Sequence, residues 1–296
     1  MIEVSQCVIC EGAIHRLKRA LVAPFMARRI WNRTPFCVDL VECEACGFIF
    51  YNPRLDDADL HRLYAGYRSE EYQRMRQASE PWYTPKFNID LASPASYAFR
   101  RSLLLPILKQ HIGTRKIDRI LDYGGDRGDL VVDLFEGAQA FVYDISQIPA
   151  AQGVTSISDP AACNADLIIN SNVLEHVGFP RTLVADMLKA APEGGLVFIE
   201  APREDPFGMG RVLRRIAQIG VISVLHPSLA PFLVRPASLY MMHEHVNSFT
   251  EQTLTTLMRS CGGTVTAAGS YPSSGRAGKG DMLWCMGMKP AASQSN

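Results

Sequence analysis

Asp122-Tyr123-Gly124-Gly125-Asp126-Arg127-Gly128 is the stretch on which the reading of this chain turns. It follows Arg119-Ile120-Leu121, a short apolar run that reads as a strand, and it precedes residues 129–135, which read as a helix. Glycines between a strand and a helix let the backbone come close to a ligand at the carboxyl edge of a sheet. Asp144 ends the next apolar run, 22 residues after Asp122. A carboxylate in that place can accept hydrogen bonds from both hydroxyls of a ribose.

Outward from that turn, short apolar runs at 141–145, 154–158, 166–170 and 195–200 alternate with helical segments such as 180–191. Continuous apolar runs, without the alternation of a half-exposed strand, predict an α/β fold with a parallel sheet covered on both faces. Downstream, Thr250 can cap a helix that ends at Gly262-Gly263. Residues 264–271 and 282–289 read as two strands joined by a Gly/Ser-rich hairpin loop, and 291–296 as a disordered tail. Upstream, a helix fits 95–111, with Pro106 as a kink or a new start. Pro81, Pro85 and Pro94 predict loop before it. Leu55, Leu60, Leu63 and Tyr64 have helical spacing, and Tyr64, Tyr67 and Tyr72 are candidates to close over a site. The apolar, basic segment 206–242 interrupts the strand–helix rhythm. It is a candidate substrate lid, with a packing helix or an interfacial helix meeting a lipid-linked substrate as alternatives.

Five of the eight cysteines crowd into the first 46 residues. Four form the pairs Cys7-Val8-Ile9-Cys10 and Cys43-Glu44-Ala45-Cys46. Each C-x2-C turn points two thiolates at one metal, and two such turns complete a tetrahedral four-sulfur site that suits structural zinc. Gly12 and Gly47 fall where such turns need a permissive backbone, and Cys37 and His15 are the substitute ligands. The 32 residues between the pairs read as a long loop. It carries Arg16, Lys18, Arg19, Arg28, Arg29 and Arg33, either a solvated face or a patch for phosphate.

Thirty basic against thirty acidic residues give zero net charge, which argues against a chain held to nucleic acid by bulk electrostatics. A 47% hydrophobic content excludes a disordered chain. No apolar run approaches the ~20 residues of a membrane span, and the first residues lack a signal-peptide pattern, so the expected location is cytoplasmic.

At Asp122–Gly128 and Asp144 the chain resembles the class I S-adenosylmethionine-dependent methyltransferases, with Asp126 at the middle glycine of their D-x-G-x-G-x-G turn. Asn172-Val173-Leu174-Glu175-His176-Val177 resembles the family's segment after its fourth strand. Leu188-Lys189-Ala190-Ala191-Pro192-Glu193-Gly194-Gly195 resembles its turn into the fifth. The resemblance implies a Rossmann-like, mostly parallel sheet with a reversed last strand, spanning 95–290 with an insertion at about 205–242. A zinc-binding module at 1–53 and a helical linker at 54–94 would precede it. It implies S-adenosylmethionine as cofactor, contacted by Asp122, Gly124, Gly125, Asp126, Gly128, Asp144, Ser171 and Asn172. Paired cysteines in front are similar to those of sugar C-methyltransferases acting on nucleotide-linked sugars. Those enzymes also share a stretch like His243-Glu244-His245-Val246-Asn247-Ser248-Phe249, but carry a further C-terminal domain that this chain is expected to lack.

The chemistry requires in-line alignment of donor and acceptor and exclusion of water, with a base where the acceptor is a hydroxyl or an acidic carbon. His245 is the first candidate for that base, Glu244 for orienting it or binding substrate, and His176 is a further candidate catalytic residue. Some family members hold magnesium after the fourth strand. The equivalent set here is Asn172, Glu175, His176 and one of His243 and His245, with the family's first carboxylate replaced by Asn172. The expected acceptor is a small polar molecule, a sugar or nucleotide-sugar, with peripheral membrane contact through 206–242. The alternatives are a degenerate methyltransferase fold serving as a zinc-containing scaffold, and a macromolecule methylated through the basic 16–33 segment.

Overall fold

The computed structural model describes every residue except 68, 92, 147, 274–280 and 292–296. The expected hairpin loop and most of the expected tail therefore lie outside the described residues. In chain order the strands are β1 (Ile14–Leu21), β2 (Cys37–Cys43), β3 (Ile49–Asn52), β4 (Arg119–Tyr123), β5 (Gln139–Tyr143), β6 (Val154–Ser156), β7 (Leu167–Ser171), β8 (Leu196–Pro202), β9 (Asn247–Ser248), β10 (Thr264–Pro272) and β11 (Asp281–Met288). They form a seven-stranded sheet of order β10-β11-β8-β7-β4-β5-β6 and a four-stranded sheet of order β1-β2-β3-β9. Contacts divide the chain into two compact units. One is 92–174, 179–203 and 249–296; the other is 1–91, 175–178 and 204–248.

The first unit is built on the seven-stranded sheet. β4 to β8 run parallel, and β11 lies antiparallel to both β8 and β10. This is the Rossmann-like, mostly parallel sheet with a reversed last strand that the resemblance implies. The central strands are apolar throughout because both faces are covered: Leu167, Ile168 and Ile169 in β7 and Val197, Phe198 and Ile199 in β8 are fully buried. Trp284 of β11 stacks on Phe198 with ring centroids 5.8 Å apart. Register places Asp122 opposite Val142 and Ile169, and Ser171 opposite Glu200, so the polar residues collect at the carboxyl ends of β4, β5, β7 and β8.

Two helix expectations change here. Residues 129–135 form a run of turns, not a helix: Val131 N–H bonds back to Gly128 O and Leu134 N–H to Val131 O, and Asp133 sits at φ 52°, which stops an i→i+4 series. The helix Pro94–Ile112 runs unbroken through Pro106, capped by Ser93, whose hydroxyl accepts from Ser96 N–H. Pro94 and Pro85 each stand at the start of a helix, where the missing N–H costs nothing, so the segment expected as loop contains the helix Pro85–Leu91.

The second unit holds the four-stranded antiparallel sheet. The stretch between the cysteine pairs is no loop: it supplies β1, the helix Pro24–Trp31 and most of β2, with Ile14 opposite Cys43 and Leu21 opposite Cys37. The helix buries Phe25, Met26, Ala27 and Ile30 against Leu40, Leu55, Leu63 and Tyr72. Segment 206–242 contributes the helix Met209–Leu225, with Ile222, Leu233, Met241 and Met242 in that same core. Arg54 is fully buried and has no acidic partner among the described residues. Its guanidinium donates to the carbonyls of Tyr51, Val177, Gly178 and Val246 and to the side chain of Asn247. Among the described residues no helix is long and apolar enough to cross a membrane.

Candidate active site

In the sheet unit the loop after β4 folds against its own strand. A Cβ on Gly125 would lie 2.0 Å from the Asp122 carboxyl carbon, so only glycine passes there. Asp122 is buried at the end of β4. Burial raises its carboxyl most, Arg100 opposes this, and Asp144, Glu200 and Asp126 add to it, leaving it at about 7. Asp126 occupies the left-handed region at φ 59°, which aspartate tolerates better than most side chains. Its N–H donates to Asp144 Oδ2 at 2.8 Å, and Ser146 N–H donates to Asp144 Oδ1 at 2.7 Å. Gly124 N–H bonds Tyr143 O at 2.7 Å, and Gly128 N–H returns to Gly125 O at 2.8 Å. At the end of β7, Ser171 donates to Glu200 and accepts from Arg100 at 2.5 Å, while Tyr271 donates to the other Glu200 oxygen at 2.6 Å. Asn172, at φ 56°, bonds Ser171 Oγ at 3.2 Å through its side-chain amide.

In the other unit, Cys7, Cys10, Cys43 and Cys46 place one sulfur each within 4.8 Å of all the others. Cys7–Cys46, Cys10–Cys43 and Cys10–Cys46 are 3.8, 3.5 and 3.4 Å apart. A tetrahedral zinc with ~2.3 Å bonds needs sulfurs about 3.8 Å apart, so this donor set is compatible with zinc. Gly47 takes φ 73° in the second turn. In the first turn Glu11 takes the left-handed conformation and Gly12 makes room instead, since its Cβ would meet Cys43 Sγ at 3.1 Å. His15 lies beside Glu42 and Glu44, and Cys37 at the far end of β2, so neither joins the cluster.

The same unit gathers the histidines. His176 Nδ1 lies 2.9 Å from Tyr64 Oη and 3.2 Å from Glu244 O. Its ring meets His245 edge-on, with centroids 4.6 Å apart. Glu175, His176 and His245 each bring one ligand atom within 4.8 Å of the others, while His243 pairs with Glu80 at 3.1 Å. Of the expected cation set, His245 and not His243 therefore joins Glu175 and His176; Asn172 belongs to the sheet unit. The carboxylate that orients His245 is Glu204, 2.7 Å from Nδ1, and not Glu244. Both Glu244 oxygens are committed elsewhere, in a fork to Arg76 at 2.7 and 2.8 Å and to Tyr72 Oη at 3.0 Å. Glu204 is itself bound by Arg211 at 3.0 Å.

These contacts separate the two histidines electrically. Burial lowers His176 and the neighbouring His245 lowers it further, to about 3, so its ring is neutral. Burial also opposes charge on His245, but the hydrogen bond and charge of Glu204, with Glu175 and Glu244, outweigh it and raise His245 to about 9. The sequence reading missed Glu204, Arg76, Arg54, Arg100, Glu200 and Tyr271. Glu200 and Glu204 carried a usable signal, charges at the end of an otherwise apolar strand; the arginines carried none.

A family model described as a methyltransferase domain matches residues 91–268, more than half of the chain, and the chain belongs to that family. No curated protein matches it. Among solved structures it is similar to human N-acetylserotonin methyltransferase in complex with SAM, at 14% identity and TM-score 0.45, over 78% of this chain but 59% of that one. It is also similar to 1,6-didemethyltoxoflavin-N1-methyltransferase of Burkholderia thailandensis, at 16% identity and TM-score 0.46, over 84% of this chain and 98% of that one. Magnesium protoporphyrin IX methyltransferase of Synechocystis shares 14% identity at TM-score 0.44, over 76% and 96% of the two chains.

Proposed function

We propose that this chain transfers a methyl group from S-adenosylmethionine to a small polar acceptor, a sugar carried by a nucleotide or a glycan. The observation that carries the donor assignment is Asp144. Two backbone N–H groups already fix its carboxylate at the sheet's carboxyl edge, and its remaining lone pairs suit the two hydroxyls of a ribose. Asp122, Gly124, Gly125, Asp126 and Gly128 shape the loop beside it, with Ser171 and Asn172 at the end of β7. When bound, the cofactor supplies an electrophilic methyl on a sulfonium.

The acceptor reading is supported by the polar cluster of Glu175, His176, Glu204, Glu244 and His245 with Tyr64 and Tyr72, a set suited to hydroxyl groups. His245 is the base in this reading: its Nδ1–H is held by Glu204, leaving Nε2 to take a proton from the acceptor. The four cysteines hold a structural zinc in this reading, which ties the first C-x2-C turn to the Cys43 end of β2 and to the turn before β3.

Calorimetry with S-adenosylhomocysteine tests the donor site. The wild type binds, and Asp144→Ala weakens binding at least about tenfold, ~1.4 kcal/mol; a wild type that does not bind ends the proposal. A screen of nucleotide sugars with labelled donor then identifies the acceptor.

A further inference from the structure

The helix Met209–Leu225 is turned inside out. At 100° per residue, Met209, Leu213, Ile216, Gly220 and Val224 fall within one narrow stripe, and Val221 and Leu225 widen it. An amphipathic helix of a folded unit ordinarily presents such a stripe to the core. Here the stripe faces out: Met209 is 72% exposed, Leu213 60%, Ile216 52% and Val224 78%. The inward face is the one that carries Arg211, on Glu204, and Arg215, on the Met241 sulfur at 3.6 Å, followed by Ile219 and buried Ile222. The polar contacts of the helix are thus made within its own unit, and its aliphatic side chains are left in water, where burial would be favourable. Phe207 before the helix and Val234 after it, 39% and 74% exposed, extend the apolar surface.

Charge indicates the occupant. From 206 to 242 there is no aspartate or glutamate, and of the four arginines Arg211 and Arg215 turn inward while Arg214 and Arg235 are exposed. Arg214, exposed, flanks the stripe, and exposed Arg235 stands beside Val234. A second copy of this helix would bring the same arginines and no acid to meet them. A nucleic acid would meet the arginines and leave the aliphatic stripe in water. An anionic bilayer satisfies both, taking the stripe into its headgroup–acyl boundary and the arginines at its phosphates. We propose that the outer face of Met209–Leu225 is a membrane-docking face that seats this unit on anionic lipid as an interfacial, non-spanning helix. This does not depend on the reaction proposed above.

Co-sedimentation of the full-length protein with vesicles tests it, using phosphatidylcholine alone and phosphatidylcholine mixed with phosphatidylglycerol. The protein is expected to pellet with the anionic vesicles, less so at high salt, and weakly with phosphatidylcholine alone. Leu213→Glu with Val224→Glu is expected to reduce binding at least about tenfold, and Arg214→Gln about fivefold, the worth of one arginine at such a surface. Both positions in the double variant are exposed, so its thermal midpoint should match the wild type; Met209→Glu is the single-site version should the pair disturb folding. Absence of binding to anionic vesicles, or binding that these substitutions leave unchanged, overturns the proposal. So does a dimer in sedimentation velocity that the double variant dissociates, since the face then belongs to a second copy.

Discussion

His245 and Glu204 sit 2.7 Å apart, and the pair sets two measurable pH dependences. His245 titrates at about 9 when folded against an ordinary value of 6.5. A raised histidine stabilises the fold fully below 6.5, and that contribution is lost as pH climbs to about 9. Glu204→Gln should remove this slope, read as thermal midpoints across the same window. If His245 is the base proposed above, it must first lose its proton, so kcat should rise with pH up to about 9 in the wild type, and Glu204→Gln should move that limb toward 6.5. A wild-type profile flat across this range, or full activity in His245→Ala, would refute the base role. His176 has the opposite sign: held neutral at about 3, it costs stability as pH falls below its ordinary 6.5. Arg54 presents a packing problem instead. Arg54→Met keeps much of the volume but strips donors from four carbonyls and Asn247, and at ~1–3 kcal/mol for each unmet buried acceptor it should cost at least about 3 kcal/mol in urea unfolding.

Elements show where local sequence and tertiary context agree. Thr250 caps the helix Glu251–Ser260 in a reciprocal box with Thr253, as its place before an apolar-periodic run predicts. Thr250→Ala should cost about 1 kcal/mol by chemical denaturation, and Thr250→Ser almost nothing. The parallel strands were legible because burial on both faces leaves an unbroken apolar run. The turns at 129–135 were not: the apolar residues Leu130, Val131 and Leu134 have helical spacing, yet they reach the core through turns that contain Asp133 at φ 52°. β1 was missed for a related reason. Its exposed face carries Arg16 and Arg19, paired with Asp39 on β2, and a charged strand face looks like loop until its partner strand is known.

Across the whole molecule, the chain leaves the sheet unit at 174 and again at 203, each time supplying the other unit with a segment: 175–178 with His176, and 204–248 with Glu204, Glu244 and His245. The cysteine cluster lies in that same unit, so removal of the zinc proposed there should be felt in it first. On chelation of the full-length protein, hydrogen exchange should rise in β1, β2 and β3 while β4, β7 and β8 keep their protection; equal loss in both sheets would contradict this division. Sequence alone determined what local chemistry determines: the two C-x2-C turns, the glycine turn with its acid one strand later, and the apolar strands of a sheet buried on both sides. Each is a short-range pattern whose physical demand falls within a few residues. Tertiary structure alone decided which carboxylate holds His245, why Arg54 needs no acid, and which face of Met209–Leu225 is left in water. Those outcomes depend on groups tens to nearly two hundred residues apart in the chain, and burial, which sets their charge and their cost, exists only once the chain has folded.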